Sequence, residues 1–298
     1  MERPSHTRIH SSGRLFNNNA DSAYVFPADN EEARRRLNEQ HACLTSAIGR
    51  LILPDIDLHP GDRVLDAATG TGVWLLDCLS KSPPDVSFVG VDISPHLFPT
   101  PDRTPLNATF TQHSVLALPQ EWTGSFALVN QRLLIAALRP EEWPRALQEH
   151  WRMLRPGGWL QLCEATAPPP GAPLPPGGEM YIALAQASGT DVRCAPRLSE
   201  WLSDAGFIHI SRSVRHLPLR IRTSDGKSDP APSYAKLWLE AHTSLKDAAL
   251  KVGIVKSEQE YDQYLASLRT QVETTDAHLE FHWVWAQKPA EPNISSRI

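Results

Sequence analysis

The chain carries no excess of basic charge, no closely spaced pair of cysteines and no apolar run long enough to cross a bilayer. Each absence removes a class of function. Its 298 residues hold 29 Lys and Arg against 34 Asp and Glu, a net charge of −5. Proteins that grip a nucleic acid backbone draw much of their affinity from neutralised phosphates and carry a basic stripe to do so. The one short basic run, Arg34-Arg35-Arg36, sits among Glu31, Glu32 and Glu39 and reads as the solvated face of a helix, so no nucleic-acid partner is expected. Cys43, Cys78, Cys163 and Cys194 lack the spacing of a zinc site or a redox pair, and no metal is expected. The longest apolar stretch near mid-chain, Leu133 to Leu138, is far short of a membrane span. Met1-Glu2-Arg3-Pro4 has no apolar run behind it, which argues against a secretory leader. The cytoplasm is the expected compartment, with no membrane partner.

What is present is a chain 41% apolar, enough to bury a large core without disulfides. The polar segment 1–22 reads as a flexible arm, 23–289 as one α/β domain and 290–298 as a tail. Within the domain, 29–60 reads as a helical cover. Ala33, Leu37, Leu44, Ile48 and Leu51 make its helical stripe, and Glu31 and Glu32 stand near its start. From 61 to 165 short apolar strands alternate with helices. The strands fall at 63–68, 87–91, 108–113, 126–130 and 159–163, with helices at 72–79 and 141–154. Arg155-Pro156-Gly157-Gly158 is a strong helix stop. Two helices follow at 179–188 and 197–205, and a strand at 209–219. A helical insertion over 220–276, with amphipathic helices at 234–251 and 257–273, precedes a last strand at 279–286. This order predicts a seven-stranded, mostly parallel sheet with helices on both faces, the two late strands forming an antiparallel edge. The run from Ala167 to Gly178 is too rich in Pro and Gly for helix or central strand. It is a surface loop that could serve as a lid or as a passive linker.

The strongest chemical signal is Val64-Leu65-Asp66-Ala67-Ala68-Thr69-Gly70-Thr71-Gly72 at a strand-to-helix junction. Small residues let the backbone turn sharply and approach a ligand, and the helix that follows presents unpaired N–H groups. A dinucleotide fingerprint would need a third Gly, where this chain has Leu75, and no Tyr-x-x-x-Lys pair follows the fourth strand. A phosphate loop would need Gly-Lys-Ser/Thr, which is missing. Asp92 ends the second strand, where an acidic side chain can accept from both hydroxyls of a ribose.

Together these residues resemble the D-x-G-x-G-x-G loop of class I S-adenosylmethionine (SAM) methyltransferases. Asp66 stands at the acidic position, Gly70 and Gly72 match, and Ala68 replaces the first Gly. Alanine reaches positive φ less freely, so the turn is expected to run with negative φ there. Tyr24, Pro27, Asp29, Arg36-Leu37-x-x-Gln40-His41, Leu128-Val129-Asn130-Gln131-Arg132-Leu133-Leu134 and Phe281-His282-Trp283-Val284-Trp285 resemble the LaeA-like group of fungal small-molecule methyltransferases, over roughly residues 24 to 289. The resemblance implies a SAM-binding Rossmann-like fold. It implies a SAM site drawn from Tyr24, Arg36, Asp66, Ala68, Thr69, Gly70, Gly72, Asp92, Ile93, His113, Ser114, Val115, Asn130, Gln131 and Arg132. Ser114 stands where the family often has an acid facing the adenine amino group, and Arg36 or Arg132 could pair with the methionine carboxylate.

SAM carries an activated methyl, so the protein has chiefly to align acceptor and methyl by positioning, an effect worth about 7–11 kcal/mol. A general base is optional, and the candidates are Glu164 and His41 ahead of His113, His216 and His242. The 234–273 segment is the expected acceptor cap, with Trp238, His242 and Trp283 as substrate-binding residues, since aromatic walls suit an apolar or planar molecule. The implied reaction is methyl transfer to an O, N or S atom of a small molecule, a secondary metabolite. A homodimer is compatible with this reading. The alternative is a methyltransferase-like regulator that acts through partners with little catalysis.

Overall fold

The structure is a computed structural model, and it describes residues 23–26, 30–220, 223–224, 227–228 and 233–290. The expected arm over 1–22, Pro27, Asp29, most of the loop over 224–233 and the tail from 291 onward lie outside the described residues. Helix α1 (Glu31–Ile48) begins where the Asn30 side chain accepts from the Ala33 N–H at 2.8 Å. It ends at Gly49. Strand β1 (Arg63–Ala67) follows, then helix α2 (Val73–Ser80), β2 (Ser87–Asp92), β3 (Ala108–Gln112) and β4 (Phe126–Arg132). Next come α3 (Glu142–Met153), β5 (Leu154–Thr166), α4 (Gly178–Ser188), α5 (Leu198–Asp204) and β6 (Ile208–Pro218). The chain then runs through α6 (Tyr234–Ser244), α7 (Lys246–Lys251) and α8 (Glu258–Thr274) to β7 (His278–Gln287).

The seven strands form one sheet in the order β3-β2-β1-β4-β5-β7-β6. Pairs from β3 through β5 are parallel, whereas β7 is antiparallel to both β5 and β6. The expected antiparallel edge is thus one reversed strand set inside the sheet, with β6 outermost. Val64, Leu65, Leu128, Val129, Leu160 and Val284 are all fully buried, because helices cover both faces. One face packs on α3 and α5 through Trp143, Leu147, Leu198 and Leu202. The other packs on α2 beneath β1–β2 and on α1, α6 and α8 beneath β5–β7.

Two expectations about elements need correction. The fifth strand runs over Leu154–Thr166 rather than 159–163, because the residues between Leu154 and Trp159 bulge out of register with β4 and rejoin it. The helix expected over 234–251 is broken at Leu245 into α6 and α7. At the break the Thr243 and Ser244 hydroxyls donate to the Leu239 and Ala241 carbonyls, a backbone competition that bends helices. Among the described residues no helix is long and apolar enough to cross a membrane, and no cluster of His, Cys, Asp and Glu could hold a metal.

Candidate functional site

The chain leaves β1 toward β2 on one side and returns to β4 on the other, so strand order reverses between β1 and β4. A crevice opens there at the carboxyl ends of the strands. It holds a cavity of about 270 Å³, walled by α1, the β1–α2 loop, the turn after β4, the Pro-rich loop, α4 and α6.

The β1–α2 loop is tied from within. Asp66 is buried, accepting from the Thr69 hydroxyl at 2.5 Å and from the Asn130 amide at 2.6 Å. Burial raises its pKa to about 6 against the pull of those two donors. The Thr69 N–H donates to the Val91 carbonyl, and the Gly70 N–H donates to Asp92 Oδ2 at 2.9 Å. Ala68 sits at φ +59°, which overturns the expected negative φ. The left-handed conformation costs an alanine about 1–2 kcal/mol. Here the Thr69 N–H and hydroxyl must reach Val91 and Asp66 together, and their two bonds hold Ala68 in place. Asp92 also accepts from the Ser94 N–H at 3.0 Å. Each carboxylate oxygen keeps a second lone pair for a ligand hydroxyl. Burial pushes the Asp92 carboxyl above its ordinary range, with the backbone N–H groups working against that shift.

Behind the loop runs a buried polar chain. Gln161 donates to Asn130 Oδ1 and to the Leu51 carbonyl and accepts from the Leu53 N–H, while Asn130 donates to Asp66. The linker after α1 is thereby joined to the ligand loop by side chains of β4 and β5.

Helix α1 lays Arg36, Leu37, Gln40, His41 and Leu44 along the cavity. The Arg36 guanidinium is buried against the Phe26 ring and hydrogen-bonds Tyr24, yet its Nη2 has no partner. His41 takes a hydrogen bond on Nδ1 from Arg132 at 3.2 Å, and its Nε2 lies 3.2 Å from Asp77 Oδ2. Burial and the Arg132 charge lower its pKa to about 4, so it is a neutral imidazole whose lone pair is already engaged.

Of the residues expected at the site, Tyr24, Arg36, His41, Asp66, Ala68, Thr69, Gly70, Asp92, Ile93, Ser114, Val115, Arg132 and Trp238 line this cavity. Gly72, His113, Asn130, Gln131, Glu164, His242 and Trp283 do not. Gly72 faces Phe110, and His113 packs edge-on against Trp122 at 5.5 Å. Asn130 belongs to the buried chain, and Gln131 pairs with His150 at 2.6 Å. Trp283 lies in the core beside Phe281. His242 is fully buried, its ring nitrogens 2.8 Å from the Trp238 carbonyl and 3.2 Å from that of Gly177. Glu164 is fully buried on β5 and accepts backbone N–H groups.

Several cavity residues escaped the sequence reading. Tyr234, Leu237 and Ala241 of α6 line it beside the expected Trp238, as Leu37 and Leu44 of α1 do beside the expected His41. Both sets follow the i, i+3/i+4, i+7 spacing of one helix face, a signal that was in the sequence. Tyr181 of α4, Leu279 of β7 and the turn Leu133–Leu138 had no such signal. The Pro-rich loop contributes Pro168, Leu174 and Pro175. It is pinned at one end by Arg193 donating to the Pro168 carbonyl and at the other by Trp238 Nε1 donating to that of Pro176, both at 2.7 Å.

Comparison with known proteins bears on this geometry. A family described as "Methyltransferase domain" matches residues 64–158, the span from β1 into β5. The N-methyltransferase gliN of Aspergillus fumigatus is 29% identical over 91% of this chain and 98% of its own. The N-methyltransferase tcpN of Claviceps purpurea is 30% identical over 80% of this chain and 88% of its own. Among solved structures, the mycolic acid cyclopropane synthase CmaA1 complexed with SAH and CTAB shares the fold, with a TM-score of 0.52, 19% identity and 84% of each chain covered. Phosphoethanolamine N-methyltransferase 2 of Haemonchus contortus, solved with SAM, does so with a TM-score of 0.51 and 17% identity. That match takes in 85% of this chain and about half (52%) of the longer enzyme.

Proposed function

The chain belongs to the methyltransferase family, and on that premise we propose that its cavity binds SAM and that it methylates a nitrogen of an uncharged, largely apolar small molecule. The observation that carries this reading is the division of the cavity. The end walled by Asp66, Gly70, Asp92, Ser94 and Arg36 is polar, while the end walled by Tyr181, Ile182, Leu237, Trp238 and Leu279 is apolar and aromatic.

The polar end fits SAM. Asp92 has lone pairs that ribose hydroxyls could use, and Ile93, Ser114 and Val115, which line the same cavity, are the residues we assign to the base. Buried polar atoms normally have partners, and two residues bordering this end break the rule: Arg36 Nη2 and Ser94 Oγ have none in the protein. A ligand carboxylate would satisfy the first by a charge-assisted bond. When bound, SAM supplies a methyl on a positively charged sulfur, open to displacement from behind.

The remaining work falls to the chain's own groups. Tyr181 and Trp238 meet edge to face at 5.6 Å and give a rigid aromatic corner for a flat acceptor. The apolar wall keeps water from the reacting atoms, and the pinned Pro-rich loop closes one side. His41 holds its lone pair toward Arg132 and does not serve as a base, so the residues act by alignment. A nitrogen acceptor is supported by the names of the curated relatives, a small apolar one by the wall.

The test is calorimetric titration with S-adenosylhomocysteine (SAH) of the wild type, Asp92→Ala and Arg36→Ala. Incubation with SAM and a panel of small molecules bearing N–H groups follows, read as a mass gain of one methylene. Binding to the wild type, weakened in both variants, together with methylated product supports the proposal. Absence of SAH binding overturns it. Binding without transfer to any panel member favours a regulatory role.

A further inference from the structure

Glu164 is the most deeply buried acid beside the cavity, yet it does not line it. It stands on β5 with zero exposure, and its two oxygens accept from consecutive backbone N–H groups, Leu134 at 3.0 Å and Ile135 at 2.9 Å. Those two N–H groups open the turn Leu133–Leu138, every residue of which faces the cavity. The turn begins from a strained residue, Leu133 at φ +63°, whose own N–H donates to the Cys163 carbonyl. Further on, Ala137 and Leu138 both donate to the Leu134 carbonyl. The first N–H groups of such a turn have no partner inside it, as at a helix start, and Glu164 supplies both acceptors from a neighbouring strand.

We propose that Glu164 is a positioning residue for methyl transfer: its carboxylate fixes the Leu133–Ile135 backbone, and through it the wall formed by Leu133–Leu138, and takes no proton from the acceptor. The role in transfer rests on the methyltransferase reading; the role in fixing the wall does not. The chemistry demands a carboxylate. An ionised carboxyl accepts at both oxygens, whereas a carboxylic acid turns one into a hydroxyl and a glutamine turns one into an NH₂. The glutamine sets a donor against an N–H and leaves that N–H without a partner, and the carboxylic acid keeps at that oxygen only the weaker acceptor of a hydroxyl.

Its surroundings disfavour the ionised form, which predominates only at alkaline pH. Burial pushes the Glu164 pKa up to about 8, opposed by the Leu134 and Ile135 N–H groups and the Gln131 amide. The ionisable groups that face it are Arg132 on β4, Cys163 beside it on β5, Tyr181 on α4 and Cys194 before α5. Arg132 alone among them favours the charge. Because the folded pKa lies above the unfolded one, this group's contribution to global stability is fully present below the unfolded value and is lost as pH rises through about 8. Local order of the wall moves the opposite way, tightening as the carboxylate forms.

That opposition gives the experiment. Backbone amide signals of Leu134 and Ile135 are followed by NMR from pH 4 to 9 in the ¹⁵N-labelled wild type, free and with SAH. Hydrogen exchange over 133–138, corrected for intrinsic rate, and SAH affinity are compared between wild type and Glu164→Gln above pH 8, where the carboxylate predominates. The expected result is that both amides titrate together in the wild type and not in Glu164→Gln. In the variant, exchange over the turn quickens about tenfold, as loss of a buried hydrogen bond allows, and SAH affinity falls several-fold. Amides that ignore pH in the wild type overturn the proposal, even if the variant does not fold. So does a folded Glu164→Gln with unchanged exchange and unchanged affinity. If the wild type binds no SAH, the methyltransferase reading fails, and the amide titration of the free protein still decides the role of Glu164 in the wall.

Discussion

Replacing Gly72 with alanine should destabilise the protein for two separable reasons. Gly72 lies at φ +76°, and a left-handed alanine costs about 1–2 kcal/mol. A Cβ built there would stand 2.6 Å and 2.8 Å from two carbons of the Phe110 ring and 3.3 Å from Pro99. Overpacking of that kind costs about 1–3 kcal/mol. The stiffer unfolded chain returns about 0.4–1 kcal/mol, leaving a net loss of about 2–4 kcal/mol. For a chain of this size that lowers the melting point by about 5–12 °C. Gly90 provides the control. A Cβ there meets the same Phe110 ring at 2.7 Å and Thr69 Cγ2 at 3.0 Å, but its φ is not in the left-handed region, so Gly90→Ala carries the steric component alone. Phe110→Leu in each background removes the clash. It should relieve a larger share of the Gly90→Ala loss than of the Gly72→Ala loss, which keeps its left-handed φ. Thermal unfolding of these four variants and of Phe110→Leu alone reads the two cycles. The reasoning is refuted if Gly72→Ala lies within about 0.5 kcal/mol of wild type, below the range expected from a clash plus a strained φ, or if Phe110→Leu rescues it completely.

Other perturbations have equally definite outcomes. His41 and His150 are buried, each with its pKa lowered to about 4, so the stability they lend is present above the unfolded value of 6.5 and lost as pH falls toward 4. Urea midpoints at pH 7, 5.5 and 4.5 should drop less steeply in His41→Asn or His150→Gln than in the wild type. All four thiols are buried, with Cys43 and Cys78 pushed up to about 11 and 12 by burial, so an aromatic disulfide reagent at pH 8 should react only after denaturant is added. Gln161→Leu strips partners from Asn130, Leu51 and Leu53 at once and should cost about 3 kcal/mol in urea unfolding.

The sheet was readable because parallel strands buried on both faces must be short apolar runs punctuated by turn residues, and the ligand loop because tight turns leave few residue choices. The side-chain assignments at the strand ends were less secure. Side chains of a strand stand perpendicular to the sheet and alternate between its faces. Asn130 and Gln131, both near the end of β4, therefore turn into two different buried layers, and only Arg132 at the last position reaches the cavity. Ala68 misled for another reason: a residue's intrinsic preference predicts its φ only until neighbouring hydrogen bonds outweigh about 1–2 kcal/mol. The acceptor end was harder still, because it is assembled from segments far apart in the chain, and no local period marks Tyr181 or Leu279 as neighbours of Trp238.

That assembly has a consequence for the order of folding. Gln40 of α1 donates to the Tyr234 hydroxyl of α6 at 2.9 Å across 194 residues of chain, and Arg35 pairs with Glu240 at 3.0 Å along the same seam. Closing that seam carries a loop-closure cost above even that of the β5–β7 pairing, which joins Trp159 to Gln287, so the seam is expected in the late part of folding. A ligand that needs both sides of the seam finds no purchase on the partly folded chain. Its binding should leave the folding rate untouched and appear wholly as slower unfolding, so that a ligand held by both α1 and α6 would act as a brake on opening rather than a template for collapse.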